Sequence, residues 1–280
     1  MTMIQRHGFK RSAVCQALGL ARSTSYAVSE AGATTDFDTA LREEAGKHPR
    51  AGSRMLSAYL KRRGITQAGR TRVRTAMQRL GIVHTPKRRI VRTTNSRHGF
   101  ERYPNLVLHR TAEMTDEIWV ADITYIRLGT GFVYLAVIMD MYTRVIRGWA
   151  LEATMEQSLT LAALDMALKQ HTPRIHHSDH GVQYAALAYT ERLTTAGIAI
   201  SMASIGEPTE NGYAERLMRT IKEEEVSLTE YADIDHARAH IGQFLTDVYN
   251  TKRPHSSLNY LTPEEFQALA ALAEPITFVK

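Results

Sequence analysis

The sequence predicts a mixed α/β core preceded by a basic, all-helical region. Three observations predict this. Charge is split: residues 1–110 carry 22 Lys+Arg against 6 Asp+Glu, a net of +16, while residues 111–280 carry 13 against 23, a net of −10, in a chain of net charge +6. The periodicity of apolar residues changes from helical to strand-like near Ile118. Strands and helices then alternate to the end. A length of 280 residues gives room for one large domain or two to three small ones, and 44% hydrophobic residues suffice for a sizeable core. No apolar run approaches the roughly 18–20 residues of a membrane span, and Met1 to Lys10 lacks the apolar stretch of a secretory signal. The single cysteine, Cys15, excludes an intrachain disulfide and a cysteine-rich zinc site, and it points to a reducing compartment.

The basic third reads as two helical units. In the first, residues 1–35, Ser12 to Leu18 has helical spacing, Gly19 stops it, and Arg22-Ser-Thr-Ser-Tyr26 opens a second helix. Helix, glycine turn, then a helix beginning with small polar and basic residues is the helix-turn-helix layout. The second unit, residues 36–83, contains a helix from Thr39 to Lys47, broken at His48-Pro49, and a helix striped by Met55, Leu56, Tyr59 and Leu60 and ended by Gly64. A third helix, Arg70 to Leu80, turns Val73, Met77 and Leu80 inward and leaves Arg70, Arg72, Arg74 and Arg79 available outward. In both units the last helix is the basic one, the polarity expected for phosphate contact. Solvated helical faces are the plainer alternative. Residues 84–112 read as a basic linker, with Lys87, Arg88, Arg89 and Arg92 either solvated or tracking a polyanion.

From residue 113 the core begins. Ile118 to Ile126 is rich in β-branched and aromatic residues, Gly129-Thr-Gly131 turns the chain, Phe132 to Met139 is a buried strand, and Arg144 to Leu151 makes a third. These three form an antiparallel meander. Met155 to Gln170 is a helix, Arg174 to Ser178 a strand, Ala185 to Ala196 a helix, and Ile198 to Met202 a strand. A loop with Gly206 and Pro208 leads to a helix from Asn211 to Val226, and helices at Ile234 to Tyr249 and Pro263 to Leu272 follow. That order is the order of the α/β ribonuclease H-like fold, a mixed sheet flanked by helices.

Two-metal phosphoryl transfer needs carboxylates that converge from separate elements. Asp122 lies inside an apolar strand, where an ionised group is costly unless paired or metal-bound. Asp179 follows a short strand, and Gly181 is expected to let the backbone turn there. Either aspartate could equally be a buried cap or salt-bridge partner. On the helix after the Gly206/Pro208 loop, Ala214, Leu217, Met218 and Ile221 make the buried stripe, and Glu215, Arg219 and Lys222 share an adjoining face. Glu210, Glu223, Glu224 and Glu225 are rival acids. Glu210 sits where an acid favours the helix dipole, and the other three look solvent-facing.

Residues from about 39 to 266 resemble the OrfB-type transposases of the bacterial insertion-sequence group called the IS-three family, relatives of retroviral integrases. The resemblance rests on Trp119-Val-Ala-Asp-Ile-Thr-Tyr125, Tyr134 to Asp140 with Arg144, His177-Ser-Asp-His-Gly-Val-Gln-Tyr184, Ser201-Met202, Glu210-Asn211 with Ala214-Glu-Arg216 and Lys222, and Tyr249-Asn-Thr-Lys-Arg-Pro-His255. The family pattern is Asp, Asp, 35 residues, Glu, and 35 residues separate Asp179 from Glu215. His180, Glu210 and Ala203 depart from the family's usual Arg, Asp and Ser. The resemblance implies a DDE-type DNA transposase, a polynucleotidyl transferase with Asp122, Asp179 and Glu215 as catalytic and metal-binding residues. It implies two Mg²⁺ ions per site, replaceable by Mn²⁺, with Lys222 and Arg219 on the DNA. It further implies action on the element's terminal inverted repeats and on target DNA, a homo-oligomeric synaptic complex, an upstream OrfA product as fusion or partner, no membrane, and a cytoplasmic, nucleoid-associated location. Arg70, Arg72, Arg74, Lys87, Arg88 and Arg89 are the further DNA-binding candidates from charge. A ribonuclease H-like nuclease that only hydrolyses, or a non-catalytic DNA-binding repressor, are the alternatives; joined rather than cut products separate the first, and metal binding the second.

Overall fold

The computed structural model describes residues 36–82, 103–129, 131–204 and 207–273. The helix-turn-helix expected within residues 1–35 and the basic cluster Lys87, Arg88 and Arg89 lie outside these residues.

The first described unit is three helices, α1 (Asp36–Lys47), α2 (Ser53–Arg62) and α3 (Arg70–Arg79). Asp36 and Asp38 favour the N-terminal dipole of α1. Gly64, at φ +86°, takes the left-handed conformation that ends α2 at low steric cost. The three helices bury one small core that includes Phe37, Leu41, Leu56, Leu60, Val73 and Met77. Arg79 donates two hydrogen bonds to buried Asp38 and so closes α3 onto α1.

The core is a five-stranded sheet in the order β3-β2-β1-β4-β5. It comprises β1 (Ile118–Leu128), β2 (Gly131–Asp140), β3 (Ile146–Glu152), β4 (Ile175–Ser178) and β5 (Ala199–Met202). The first three form the expected antiparallel meander, Leu128 pairing with Gly131 across the first turn. β4 and β5 run parallel to β1. Parallel neighbours need crossovers, and helices supply them: α4 (Gln157–Leu168) before β4, then α5 (Val182–Ala185) and α6 (Leu187–Thr195) before β5.

Strand alternation sorts the core into two layers. Trp119 and Ala121 of β1 join Leu159, Ala163, Tyr189 and Leu193 on the α4/α5/α6 face. Ile118, Val120, Ile126 and Leu128 join the opposite face, under α7 (Gly212–Ile221) and α8 (Ile234–Gln243). Asp233 caps α8, accepting from the His236 N–H at 2.8 Å. α9 (Pro263–Ala273) closes the chain. A buried ionic knot fixes the lower edge of the sheet. Asp116 accepts from the Trp119 indole at 2.7 Å and from Arg147 Nε at 2.8 Å, and it pairs with His171 at 3.0 Å.

Four details differ from the sequence reading. The helix expected over Ala185 to Ala196 is two helices, broken at Ala186, whose backbone is extended. The helices expected to run to Val226 and Tyr249 end as α-helix at Ile221 and Gln243 and continue as wider π turns, Lys222–Val226 and Phe244–Asn250. Such turns re-aim side chains without breaking the rod. The last part of the expected linker is not a linker. Residues 103–112 run along β5, where the Pro104 carbonyl accepts from Met202 N–H and Leu106 N–H donates to Ser201 Oγ at 2.8 Å, while Val107 and Ala112 are buried in the core. They cover an otherwise open sheet edge.

Arg62 of α2 makes a bidentate ion pair with Glu265 of α9, tying the helical unit to the core. The pair holds Glu265 at about 2, below the usual carboxylate range, chiefly through its hydrogen bonds from Arg62.

α4 packs on β3 with no room to spare. A Cβ on Gly148 would lie inside contact distance of the Ala163 carbonyl and 2.8 Å from the Ala167 nitrogen, both rigid helix backbone. Gly148→Ala is therefore expected to destabilise the protein by roughly 1–3 kcal/mol, the usual cost of overpacking. Denaturant unfolding measures this, and an unchanged midpoint would contradict the packing described.

Candidate active site

The parallel pairing of β1 with β4 sets the site. Ala121 is the register partner of Ser178, so Asp122, the next residue of β1, and Asp179, the first residue after β4, are neighbours, close enough for the charge of Asp179 to act on Asp122. Parity then decides where they point. Asp122 shares a face with Val120, and Asp179 shares one with Ile175; both faces lie under α7. His176 points the other way, its Nε2 2.9 Å from the Tyr189 hydroxyl. Two half-buried carboxylates thus face the same helix.

Each is oriented by the backbone. Asp122 Oδ1 accepts from Ile123 N–H at 2.8 Å, and Asp179 Oδ1 from Gly181 N–H at 3.1 Å. Gly181 has an ordinary φ of −83°, so the turn itself does not demand glycine, contrary to the sequence expectation. A Cβ there would lie 2.9 Å from Asp179 Oδ1, the end of a flexible side chain, so glycine leaves that oxygen room in its present position.

α7 crosses above. Ala214, Leu217, Met218 and Ile221 are buried, as their spacing predicts, and Glu215 in the first turn and Arg219 in the last are exposed. Lys222 begins the π turn, half-buried, its ammonium 4.6 Å from the centroid of the Tyr125 ring. Electrostatics link all four charged groups. Burial pushes the Asp122 carboxyl up to about 8, and the negative charges of Asp179 and Glu215 push the same way, against the Ile123 N–H and Lys222. Lys222 is lowered by burial, with Asp122 opposing. Among the described residues, no three His, Cys, Asp or Glu side chains stand close enough to hold one ion. The two aspartates are adjacent, and Glu215 is near enough to be felt electrostatically.

Three of the four rival acids, Glu210, Glu224 and Glu225, are engaged elsewhere. Glu210 accepts from Ser204 N–H at 2.7 Å and from Asn105 Nδ2 at 2.8 Å, bonds that hold its carboxyl low. Glu223, Glu224 and Glu225 are half-buried rather than solvent-facing. Glu224 takes Arg253 at 2.7 Å through both Nε and Nη2, and Glu225 accepts from Thr229 and the Tyr231 hydroxyl. The π turn rotates them inward, which a regular helical count does not anticipate.

Two residues given no role by the sequence belong here. Asn211 is buried and donates to the Ala121 carbonyl at 3.0 Å, pinning the start of α7 to β1 one residue before Asp122. Tyr184 is buried, feels the charges of Asp122 and Asp179, and its hydroxyl has no hydrogen-bond partner among the described residues. The only signal for either was its presence in a motif stretch.

The basic candidates fall into two groups. Arg70, Arg72 and Arg74 are exposed along α3, away from the acids. Arg72 is partly committed, donating to Gln67 at 2.7 Å and lying 4.3 Å over the Phe37 ring. Lys222 and Arg219 are beside Glu215 on α7.

Residues 112–208 match the integrase core domain family, and residues 196–263 match a second integrase core domain family. The 31 kDa protein of insertion element IS600 from Shigella sonnei is 36% identical over 221 residues, 77% of this chain and 80% of that protein. The transposase of insertion sequence IS629, also from Shigella sonnei, is 34% identical over 221 residues, 78% of this chain and 74% of that protein. The chain belongs to the integrase-core transposases of bacterial insertion sequences. Its relatives include the IS3A transposase of Escherichia coli K12, 29% identical over 222 residues, in keeping with the IS-three resemblance. Among solved structures, a chain of the simian T-cell lymphotropic virus intasome in complex with PP2A regulatory subunit B56 gamma superposes with a TM-score of 0.50 at 18% identity, covering 80% of this chain and 76% of that one. That likeness bears on the fold, which is ribonuclease H-like. The protein is thus an insertion-sequence transposase with polynucleotidyl transferase activity.

The position of Asp122 has a measurable consequence without metal. Its carboxyl is raised from an ordinary 3.8 to about 8, so the folded state holds a proton that the unfolded state has released. That contribution is full below the unfolded value and is lost as pH rises through the folded one. In chelating buffer the melting temperature is expected to fall between about pH 4 and pH 8 and to level off above that, and Asp122→Asn is expected to flatten that fall. Thermal melts across pH measure it; an equal slope in the variant would contradict the charge assignment.

Proposed function

We propose that this transposase cuts and joins DNA strands at one centre formed by Asp122, Asp179 and Glu215. The negative charges of Asp179 and Glu215 acting on the neighbouring Asp122, opposed among the described residues by Lys222, carry the reading. Such a place is unfavourable for anions and favourable for divalent cations. The donor set fits: carboxylate oxygens are the hard ligands that Mg²⁺ takes, with water completing the shell. Two Mg²⁺ ions, or Mn²⁺ in their place, would supply charge neutralisation at the phosphorus and a lowered pKa for the attacking water or 3′-hydroxyl.

The chain's own residues divide the remaining work. Asp122, oriented by Ile123 N–H, would hold the metal as a carboxylate together with its neighbours. Asp179 is oriented by Gly181 N–H. Glu215, exposed at the start of α7, completes the set by moving toward the strands. Lys222, with Tyr125 beneath it, and Arg219 hold phosphate oxygens. α3 is the reader of duplex DNA in the second helical unit, led by Arg70 and Arg74, with residues 1–35 and Lys87, Arg88 and Arg89 adding backbone contacts. Their support is the charge of the first 110 residues. Terminal inverted repeats and target DNA as substrates, a homo-oligomeric synapse, an OrfA partner and a cytoplasmic, nucleoid-associated location rest on the family resemblance.

Strand transfer tests the centre. With end-containing DNA and Mg²⁺ or Mn²⁺, Asp122→Asn, Asp179→Asn and Glu215→Gln are each expected to lose at least about a hundredfold in joined product. Full activity in any one would remove that residue from the centre, and activity lost with Glu223→Gln but kept with Glu215→Gln would move it to another helix face. A gel shift tests the reader: Arg70→Ala with Arg74→Ala is expected to weaken binding of element ends and reduce its salt dependence by roughly one phosphate contact per arginine. Unchanged binding would exclude α3 from the interface.

A further inference from the structure

On the far flank of α7 from the acids lies a cavity of about 890 Å³. The helical wheel separates the two. Glu215, Arg219 and Lys222 lie on one flank of the buried stripe, and Tyr213, Arg216 and Thr220 on the other, lining the cavity. Five arginines line it: Arg54 from α2, Arg110, Arg144, Arg216 and Arg253. The only acid in the lining, Glu210, is already bonded to Ser204 and Asn105. Arg110 pairs with Glu117, and Arg253 with Glu224. Arg54, Arg144 and Arg216 have no carboxylate partner among the described residues. In a core whose net charge is −10, that is a concentrated patch of unneutralised positive charge.

Arg144 is the most telling member. Its guanidinium lies 4.1 Å over the Tyr213 ring, and its Nη1 is buried without a hydrogen-bond partner among the described residues. A buried cationic donor left unpaired is costly unless an anion arrives. Its backbone is left-handed, at φ +66°, as are those of His109 and Tyr260, which also line the cavity. Strain of this kind collects at ligand sites, where the surrounding fold holds it in place. His255, deep in the wall, is held down at about 3 by burial and by the charges of Arg253, Arg144 and Arg216, so the three cations converge on one spot.

We infer that this cavity binds the backbone of a single-stranded DNA segment, next to but separate from the strand at the acids. The ligand chemistry is a phosphodiester flanked by bases: arginine forks for phosphate oxygens, and the Tyr213 and Tyr260 rings, with stacked Arg144, for base faces. A volume of about 890 Å³ has room for a few unpaired nucleotides. The inference rests on DNA being the substrate and not on the assignment of the three acids.

The test uses the whole chain in chelating buffer, so that metal plays no part and the acids' role does not affect the result. Fluorescence anisotropy compares a blunt duplex with the same duplex carrying a single-stranded thymidine tail. The tail is expected to tighten binding, and Arg144→Gln and Arg216→Gln are each expected to lose roughly tenfold of that gain and lower the tail-dependent salt slope by about 0.7. Arg216 is exposed, so its variant keeps the test valid if Arg144→Gln fails to fold. Arg192→Gln, on α6, is the charge control and is expected to keep the gain. No gain in wild type, an equal gain in both variants, or an equal loss in Arg192→Gln would overturn the inference. Competition by inorganic phosphate with no tail effect would overturn it too, by making the cavity a site for free anions.

Discussion

The pairing of β1 with β4 in parallel is the constraint on which the rest of the molecule depends. It puts Asp122 beside Asp179 just past the end of β4, an arrangement in which each anion raises the energy of the other. Nothing in hydrophobic packing asks for it. The sheet tolerates it because its other contacts are strong: two apolar layers cover its faces, and the Asp116 knot ties β1, β3 and the chain before β4. The unfavourable pair is thus held by the surrounding fold, as expected of a site built to receive cations.

α7 turns this pair into a site with two sides. Its apolar stripe seats it on the sheet, Asn211 fixes where it begins, and the π turn after Ile221 carries Lys222 toward Tyr125 and Asp122. The same π turn points Glu224 at Arg253, which lines the cavity on the far flank. One helix thereby divides a negative face from a positive one. The α2 helix reaches the same region through Arg54, and Arg62 is bound to Glu265, so the small helical unit contributes to the positive side. Net charge per segment conceals this, because the core is acidic overall.

Much of this was legible in the sequence. Alternating β-branched and aromatic residues gave away β1, while the choice of Glu215 among its neighbours rests on the family resemblance and its 35-residue spacing. The amphipathic stripe of α7 placed Glu215 and Lys222 together. Long-range partners were not legible. Residues 103–112 look polar and linker-like, yet they bond to Ser201 and Met202 because β5 needs its edge covered. Glu223 to Glu225 look solvated because a helical wheel does not foresee a π turn. Gly181 was expected to serve a turn, and it serves the oxygen of Asp179 instead. Arg144 sits in a hairpin with no local sign that its guanidinium meets Tyr213, almost seventy positions on.

Asp122 and Asp179 are proposed to hold the catalytic cation together. Anomalous diffraction from crystals of the protein soaked in Mn²⁺ tests this. A manganese peak is expected between the two carboxylates and is expected to be lost in Asp179→Asn. A peak at other acids, with none between Asp122 and Asp179 at saturating Mn²⁺, would contradict the proposal.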